Sequence, residues 1–127
     1  MKTELISGTV GALLAFAAIG AVRAQGGAQP ASERVPQFEN DAVKVWRSVV
    51  RPRAPLALHR HDHPRVIIAL HGGTMRIVQQ GGPTETHVWE TGKAYWLPAN
   101  PPNTLHTDEN AGDTPIEVMV VELKHEH

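Results

Sequence analysis

Beyond residue 40 the apolar positions fall in short runs rich in Val, Ile, Thr, Tyr and Trp, each cut off by glycine or proline. Runs of this kind, bounded by turn-forming residues, predict strands. They lie over Val43–Val50, Pro55–His61, Arg65–His71, Met75–Gln80, Thr84–Glu90, Ala94–Leu97, Thr104–Thr107 and Ile116–Leu123. The breaks between them read "RPRAP", "DHP", "HGGT", "QGGP", "ETGK", "PANPPN" and "ENAGDTP". No stretch in this region keeps a helical apolar period over a dozen positions, so no long helix is predicted. Many short strands in so little chain predict an all-β fold, a sandwich or small barrel. A chain of this size buries one core and not two.

Two of the predicted strands are apolar on both faces, through "VIIAL" (Val66–Leu70) and "VMVV" (Val118–Val121). A strand buried on one side only would alternate with polar residues. A second apolar face on a small barrel calls for a cover, most simply a second copy of the chain, so a homodimer is expected.

The two ends read differently. Val10 to Val22 is apolar or small, preceded by Lys2 and followed by Val-Arg-Ala, the order of a secretory signal cleaved after Ala24. The run is short for a bilayer span, so residues 1–24 are expected to be removed, leaving no membrane anchor. The product would be periplasmic or secreted. Gln25 to Gln37 ("QGGAQPASERVPQ") has hardly an apolar anchor, and residues 25–40 are expected to form a flexible leader. The folded domain is then 41–124, with a tail at 125–127.

Composition narrows the chemistry. The chain has 127 residues and a formal charge of −1, one unit more negative once Lys2, Arg23 and Glu4 are set aside. A nucleic-acid partner would want a basic stripe, and none is present. There is no cysteine, which excludes thiol redox chemistry and disulfides. All eight histidines lie beyond residue 58, an unusual share. No nucleophile with a base at motif spacing, phosphate loop or paired acid–base carboxylates is apparent, so any turnover would rest on a bound ion.

The histidines concentrate in "LALHRHDHPR" (Leu56–Arg65). Side chains at i and i+2 of a strand share a face, so His59 and His61 project together with Arg60 opposite. Two imidazoles so placed can converge on one metal ion. His63 has the same parity, but Pro64 marks the end of the strand, which ranks it below the others. His71, His87 and the terminal His125 and His127 lack partners at ligand spacing and read as surface residues. Trp46, Trp89, Tyr95 and Trp96 read as core or interface aromatics, with Trp96 the best placed to line a pocket.

With these residues in view the sequence resembles the cupin family. The first family pattern is histidine, one residue, histidine, three or four residues, glutamate, six residues, glycine. Here His59, His61, Arg65 and Gly72 occupy that frame. The second pattern is met at Gly92 and Pro98 and again at His106 and Asn110, with Asn100 in place of a glycine and three extra residues before His106. The resemblance implies a double-stranded β-helix (jelly-roll) barrel with His59, His61 and His106 at its mouth as metal ligands. It also implies a divalent transition metal as cofactor (zinc, iron, nickel, copper or manganese) and a small organic ligand.

Arg65 stands where the family places its ligating glutamate. Arginine cannot coordinate and keeps its charge. A divalent ion about 5 Å from a guanidinium meets repulsion of roughly 6–7 kcal/mol at an effective dielectric near 20. Arg65 could escape by swinging outward or pairing with Asp62 or Asp108. The competing reading needs no metal: Arg65 with the histidines forms a cationic pocket for a small anion in a non-enzymatic binding or sensing protein. Both readings stay open on sequence, with Arg65, Trp96 and His63 as the residues expected to meet the small ligand.

Overall fold

Successive side chains of a strand point to opposite faces, so alternate positions can be buried together. The computed structural model describes residues 30–125, and over that range the chain forms eight strands and no helix. They are β1 (Glu33–Glu39), β2 (Val43–Val50), β3 (Arg65–His71), β4 (Gly73–Gln79), β5 (Thr84–Trp89), β6 (Ala94–Leu97), β7 (His106–Asn110) and β8 (Ile116–Leu123). Two sheets result, one ordered β1-β2-β8-β3-β6 and the other β5-β4-β7. Every strand pair is antiparallel. The all-β sandwich expected from the pattern is therefore present.

Residues opposite one another in a ladder share a face. One row across the larger sheet is Trp46, Val120, Ile67 and Tyr95, and the next is Ser48, Val118 and Ala69. These rows pack against Met75, Ile77 and Trp89 from the smaller sheet, and Val50 and Ile116 close one end of the core. Each large aliphatic side chain buried here contributes roughly 1.5–3 kcal/mol. Gly72 makes the sharp passage from β3 to β4 possible, because a methyl group there would collide with the Trp89 carbonyl. Toward the other end the inner row becomes Lys44, Glu122, Arg65 and Leu97. The sandwich thus has a dry end and a polar end, and the candidate chemistry sits at the polar one.

Three expectations need correction. The leader does not run to residue 40, since Glu33–Glu39 pairs with β2 along most of its length. The pairing satisfies the backbone of β2, which would otherwise be an open sheet edge. It carries a bulge between Pro36 and Phe38, as proline in an edge strand allows. Arg34 of this strand lies 5.3 Å over the Trp46 ring.

Pro55–His61 is not a strand. Leu56 N–H bonds the Asp108 carbonyl and His59 pairs with His106, a step of three residues against two that breaks the ladder. Alternation survives from His59 to His61. The seventh strand runs from His106 to Asn110 where Thr104–Thr107 was expected. Asn110 anchors its end by donating to the carbonyls of Val50 and Thr114. The export signal expected over residues 1–24 lies outside the described residues.

Candidate metal centre

At the start of β7, three imidazoles meet. His106 is the first residue of that strand, opposite Gln79 of β4 and only 1% exposed. His59 lies across from it, exchanging backbone hydrogen bonds of 2.9 and 2.8 Å, and the ring centroids are 4.4 Å apart. His61, two residues on, is 6% exposed and stacks on Trp46 with ring planes 6° apart. One nitrogen from each ring can be chosen so that all three lie within 4.8 Å of one another.

The extra residues of "PANPPN" have a use. Asn100 accepts a 2.7 Å hydrogen bond from His61 N–H through Oδ1 and donates its own N–H to the His61 carbonyl at 2.8 Å. The insertion therefore reaches across the barrel mouth and holds the backbone of His61. Asn103, in the left-handed region at φ 63°, turns the loop back toward β7.

Hydrogen bonding sets the state of the rings. His59 Nδ1 is 2.6 Å from the Ala57 carbonyl, so it carries the proton and leaves a lone pair on Nε2. That Nε2 and His106 Nε2 are both buried without a hydrogen-bond partner. A buried polar atom left unpaired costs about 1–3 kcal/mol. Two facing into one space are an arrangement that a cation would relieve. His61 Nδ1 lies 3.5 Å from Glu122 Oε1.

Burial lowers the pKa of all three imidazoles, pushing His61 down to about 2. The Arg65 and Arg34 guanidiniums lower them further; on His59 the Ala57 hydrogen bond and Asp108 pull the other way, as Asp108 does on His106, each more strongly than either guanidinium alone but less than burial. Neutral imidazole is the ligating form. The same cations that oppose an ion therefore help to keep its ligands ready.

Arg65 points inward and is 5% exposed, so it does not swing outward. Its Nη1 donates to the Pro98 carbonyl at 3.3 Å, and among the described residues no carboxylate lies at ion-pair distance. Asp62 pairs with Arg60 at 2.9 Å instead. Burial lowers the Arg65 pKa, while Asp108 and Glu122 partly restore it.

Two clefts flank the cluster. One of about 470 Å³ is bordered by Arg34, Trp46, Arg60, His61, His63 and Glu122. The other, of about 170 Å³, is bordered by Arg65, Pro98, Asn100 and His106. His63 thus lies in a cleft wall, apart from the three clustered rings. Trp96 does not reach either cleft: it is 57% exposed, because Tyr95 and Leu97 on either side face the core. Trp46 is the tryptophan that meets the site. Asp108, Glu122, Asn100 and Arg34 were not expected as site residues. Only Asp108 had a local signal, standing two residues after His106 on the same face. His71 and His87 make ordinary contacts, with the Pro115 carbonyl and Glu85.

No family model matches the sequence, and no curated protein matches it. Solved structures match in shape. A cupin domain from Bordetella pertussis is 23% identical, with 77% of this chain and 98% of that one covered at a TM-score of 0.66. An RmlC-like cupin with a double-stranded β-helix fold from Methanocaldococcus jannaschii is 15% identical, covering 78% and 84% at 0.58. The Cnp3 cupin domain of Schizosaccharomyces pombe is 9% identical, covering 76% and 67% at 0.57. The chain has the cupin fold, a double-stranded β-helix, and three histidines at its mouth that could hold a metal.

Proposed function

We propose that this protein is a metal-binding cupin in which His59, His61 and His106 hold one divalent transition-metal ion and a small organic molecule enters from the cleft beside Trp46 and His63. The observation that carries this reading is the pair of buried, unpartnered Nε2 atoms on His59 and His106. When bound, the ion would supply Lewis-acid polarisation of an oxygen on that molecule. The chain's own contribution is to keep three imidazoles neutral, to orient His59 through Ala57 and His61 through Asn100, and to offer Arg65 to an anionic group. The fold hosts binders and enzymes alike, and turnover belongs to the site's chemistry.

The second reading, a non-enzymatic pocket for a small anion, has its own support. Arg65 is a buried guanidinium with one backbone carbonyl as hydrogen-bond partner among the described residues. Elemental analysis after dialysis against Zn(II) at pH 7.5 separates the two, with His125 and His127 replaced by alanine so that the tail cannot chelate. One ion per chain, lost in His106→Ala, is expected. No ion in the parent, together with sulfate raising its melting temperature at pH 6, would replace the metal reading with the anion reading.

We also propose export, directed by residues 1–24, and a homodimer. The outer face of the larger sheet supports the dimer: Trp96, Val66 and Val121 form one cross-strand row, with Ile68 and Met119 in the next.

A further inference from the structure

We propose that Asp108 supplies the carboxylate of this metal centre, taking up from β7 the role that the cupin pattern gives to a glutamate at the position held here by Arg65. The inference rests on the reading of the three histidines as ligands. It adds a fourth residue, which lies outside the family's two patterns and is marked in the sequence only by following His106 by two.

Strand geometry places the group. Asp108 follows His106 by two residues on β7 and lies opposite Ile77 of β4, a core residue, so it faces the interior. Its Oδ2 is 3.6 Å from His59 Nε2 and its Oδ1 is 3.6 Å from His106 Nε2. The carboxylate therefore straddles the two orphaned nitrogens.

These distances are too long for hydrogen bonds, which fall near 2.7–3.2 Å. They are close to the separation of two ligands on a tetrahedral ion, about 3.4 Å for bonds of 2.0–2.1 Å. The Asp108 side chain is 18% exposed, and among the described residues it makes no side-chain hydrogen bond and no ion pair with lysine or arginine. The lone pair on His59 Nε2 and the Asp108 carboxylate oxygens are thus left without a hydrogen-bond donor beside the buried His106 Nε2.

Charge points the same way. Replacing the family's glutamate by Arg65 removes one negative charge and adds a positive one. An aspartate at the centre restores part of the balance. Glu122 is the other acid nearby, but the histidine it approaches at ion-pair distance is His61, at Nδ1. That is the position of an outer partner which orients a ligand ring.

The test uses Co(II) as probe on the chain carrying His125→Ala and His127→Ala, titrated at pH 7.5 by visible absorption. Asp108→Asn is expected to weaken Co(II) binding by about a hundredfold or more and to change the cobalt d–d bands. Asp108→Glu, which keeps the carboxylate, should retain affinity to within about tenfold. If Asp108→Asn binds within about threefold of its parent and with the same spectrum, while His106→Ala abolishes binding, this inference falls and the three-histidine reading stands. If the parent takes up no Co(II), both fall. Should Asp108→Asn fail to fold, a crystal structure of the Zn(II)-loaded parent decides. An Asp108 oxygen about 2.0–2.2 Å from the ion upholds the assignment, and one beyond about 3 Å overturns it.

Discussion

His59 and His106 exchange both of their backbone hydrogen bonds, and this single antiparallel pair sets their rings 4.4 Å apart with both Nε2 atoms buried. His106 forms the last pair of the ladder between β4 and β7, whereas His59 is placed by no ladder. His59 belongs to an irregular segment that touches β7 at one bridge, and His106 opens that strand. The site is therefore held by a few named bonds, and its properties should respond to single substitutions.

Arg65 should govern metal affinity through its charge. Arg65→Met removes a buried cation from the centre, and Arg65→Glu reverses it. With repulsion of several kcal/mol between an ion and a guanidinium about 5 Å away, tighter binding by at least about tenfold is expected for Arg65→Glu and less for Arg65→Met. Competition against a chromophoric chelator measures both. Equal affinity in all three proteins would show that the guanidinium's field does not reach the ion.

Asn100 should act on the site through His61. Asn100→Ala removes the acceptor for His61 N–H and frees the loop that crosses the barrel mouth. Metal binding should weaken about tenfold to a hundredfold, the range for partners that orient a ligand. Restoring the amide one carbon further out, in Asn100→Gln, should recover only part of it. Calorimetric titration of the two variants reads the difference, and unchanged affinity in Asn100→Ala would assign the loop a purely structural role.

Acid should destabilise the metal-free protein from pH 6.5 downward. In the folded chain His59, His61 and His106 have pKa values lowered by burial, whereas an unfolded histidine titrates near 6.5. Between the folded and unfolded values the unfolded state binds more protons, so stability rises with pH in that window and is flat above it. Each imidazole that stays neutral adds a slope of about 1.4 kcal/mol per pH unit, and for His61 the window reaches down to about pH 2. Urea midpoints measured from pH 8 to pH 5 after chelation should hold level to about 6.5 and then drop. A level profile to pH 5 would mean that the folded site accepts protons freely.

Trp96 should report on association. It stands on the outer face of β6, more than half exposed, in line with Val66 and Val121. Trp96→Glu places a charge at the β6 end of that apolar row and should shift a dimer to monomer in light scattering, with metal stoichiometry unchanged. A parent that is monomeric at high concentration would remove this face as an interface.

Much of this fold was written in local pattern. The bounds of β2, β3, β6 and β8 coincide with the runs Val43–Val50, Arg65–His71, Ala94–Leu97 and Ile116–Leu123, because each is a stretch of strand-forming residues ended by glycine, proline or a turn. The convergence of His59 with His61 is also local, a consequence of side chains two residues apart sharing a face. The strand β1 left no such trace: its residues are mostly polar and exposed, and what fixes it is backbone pairing to β2.

The chain alone determined a β-sandwich, a histidine pair and a cation among them. Where that cation points, and what faces it, was decided by tertiary structure. Asp108, Glu122, Asn100 and Arg34 come from four separate segments, and only the closing of the two sheets brings their side chains to one end of the barrel. Strand periodicity acts over a few residues and so can be read in order along the chain. Electrostatic and ligand geometry act across space, between groups whose separation in sequence carries no fixed period.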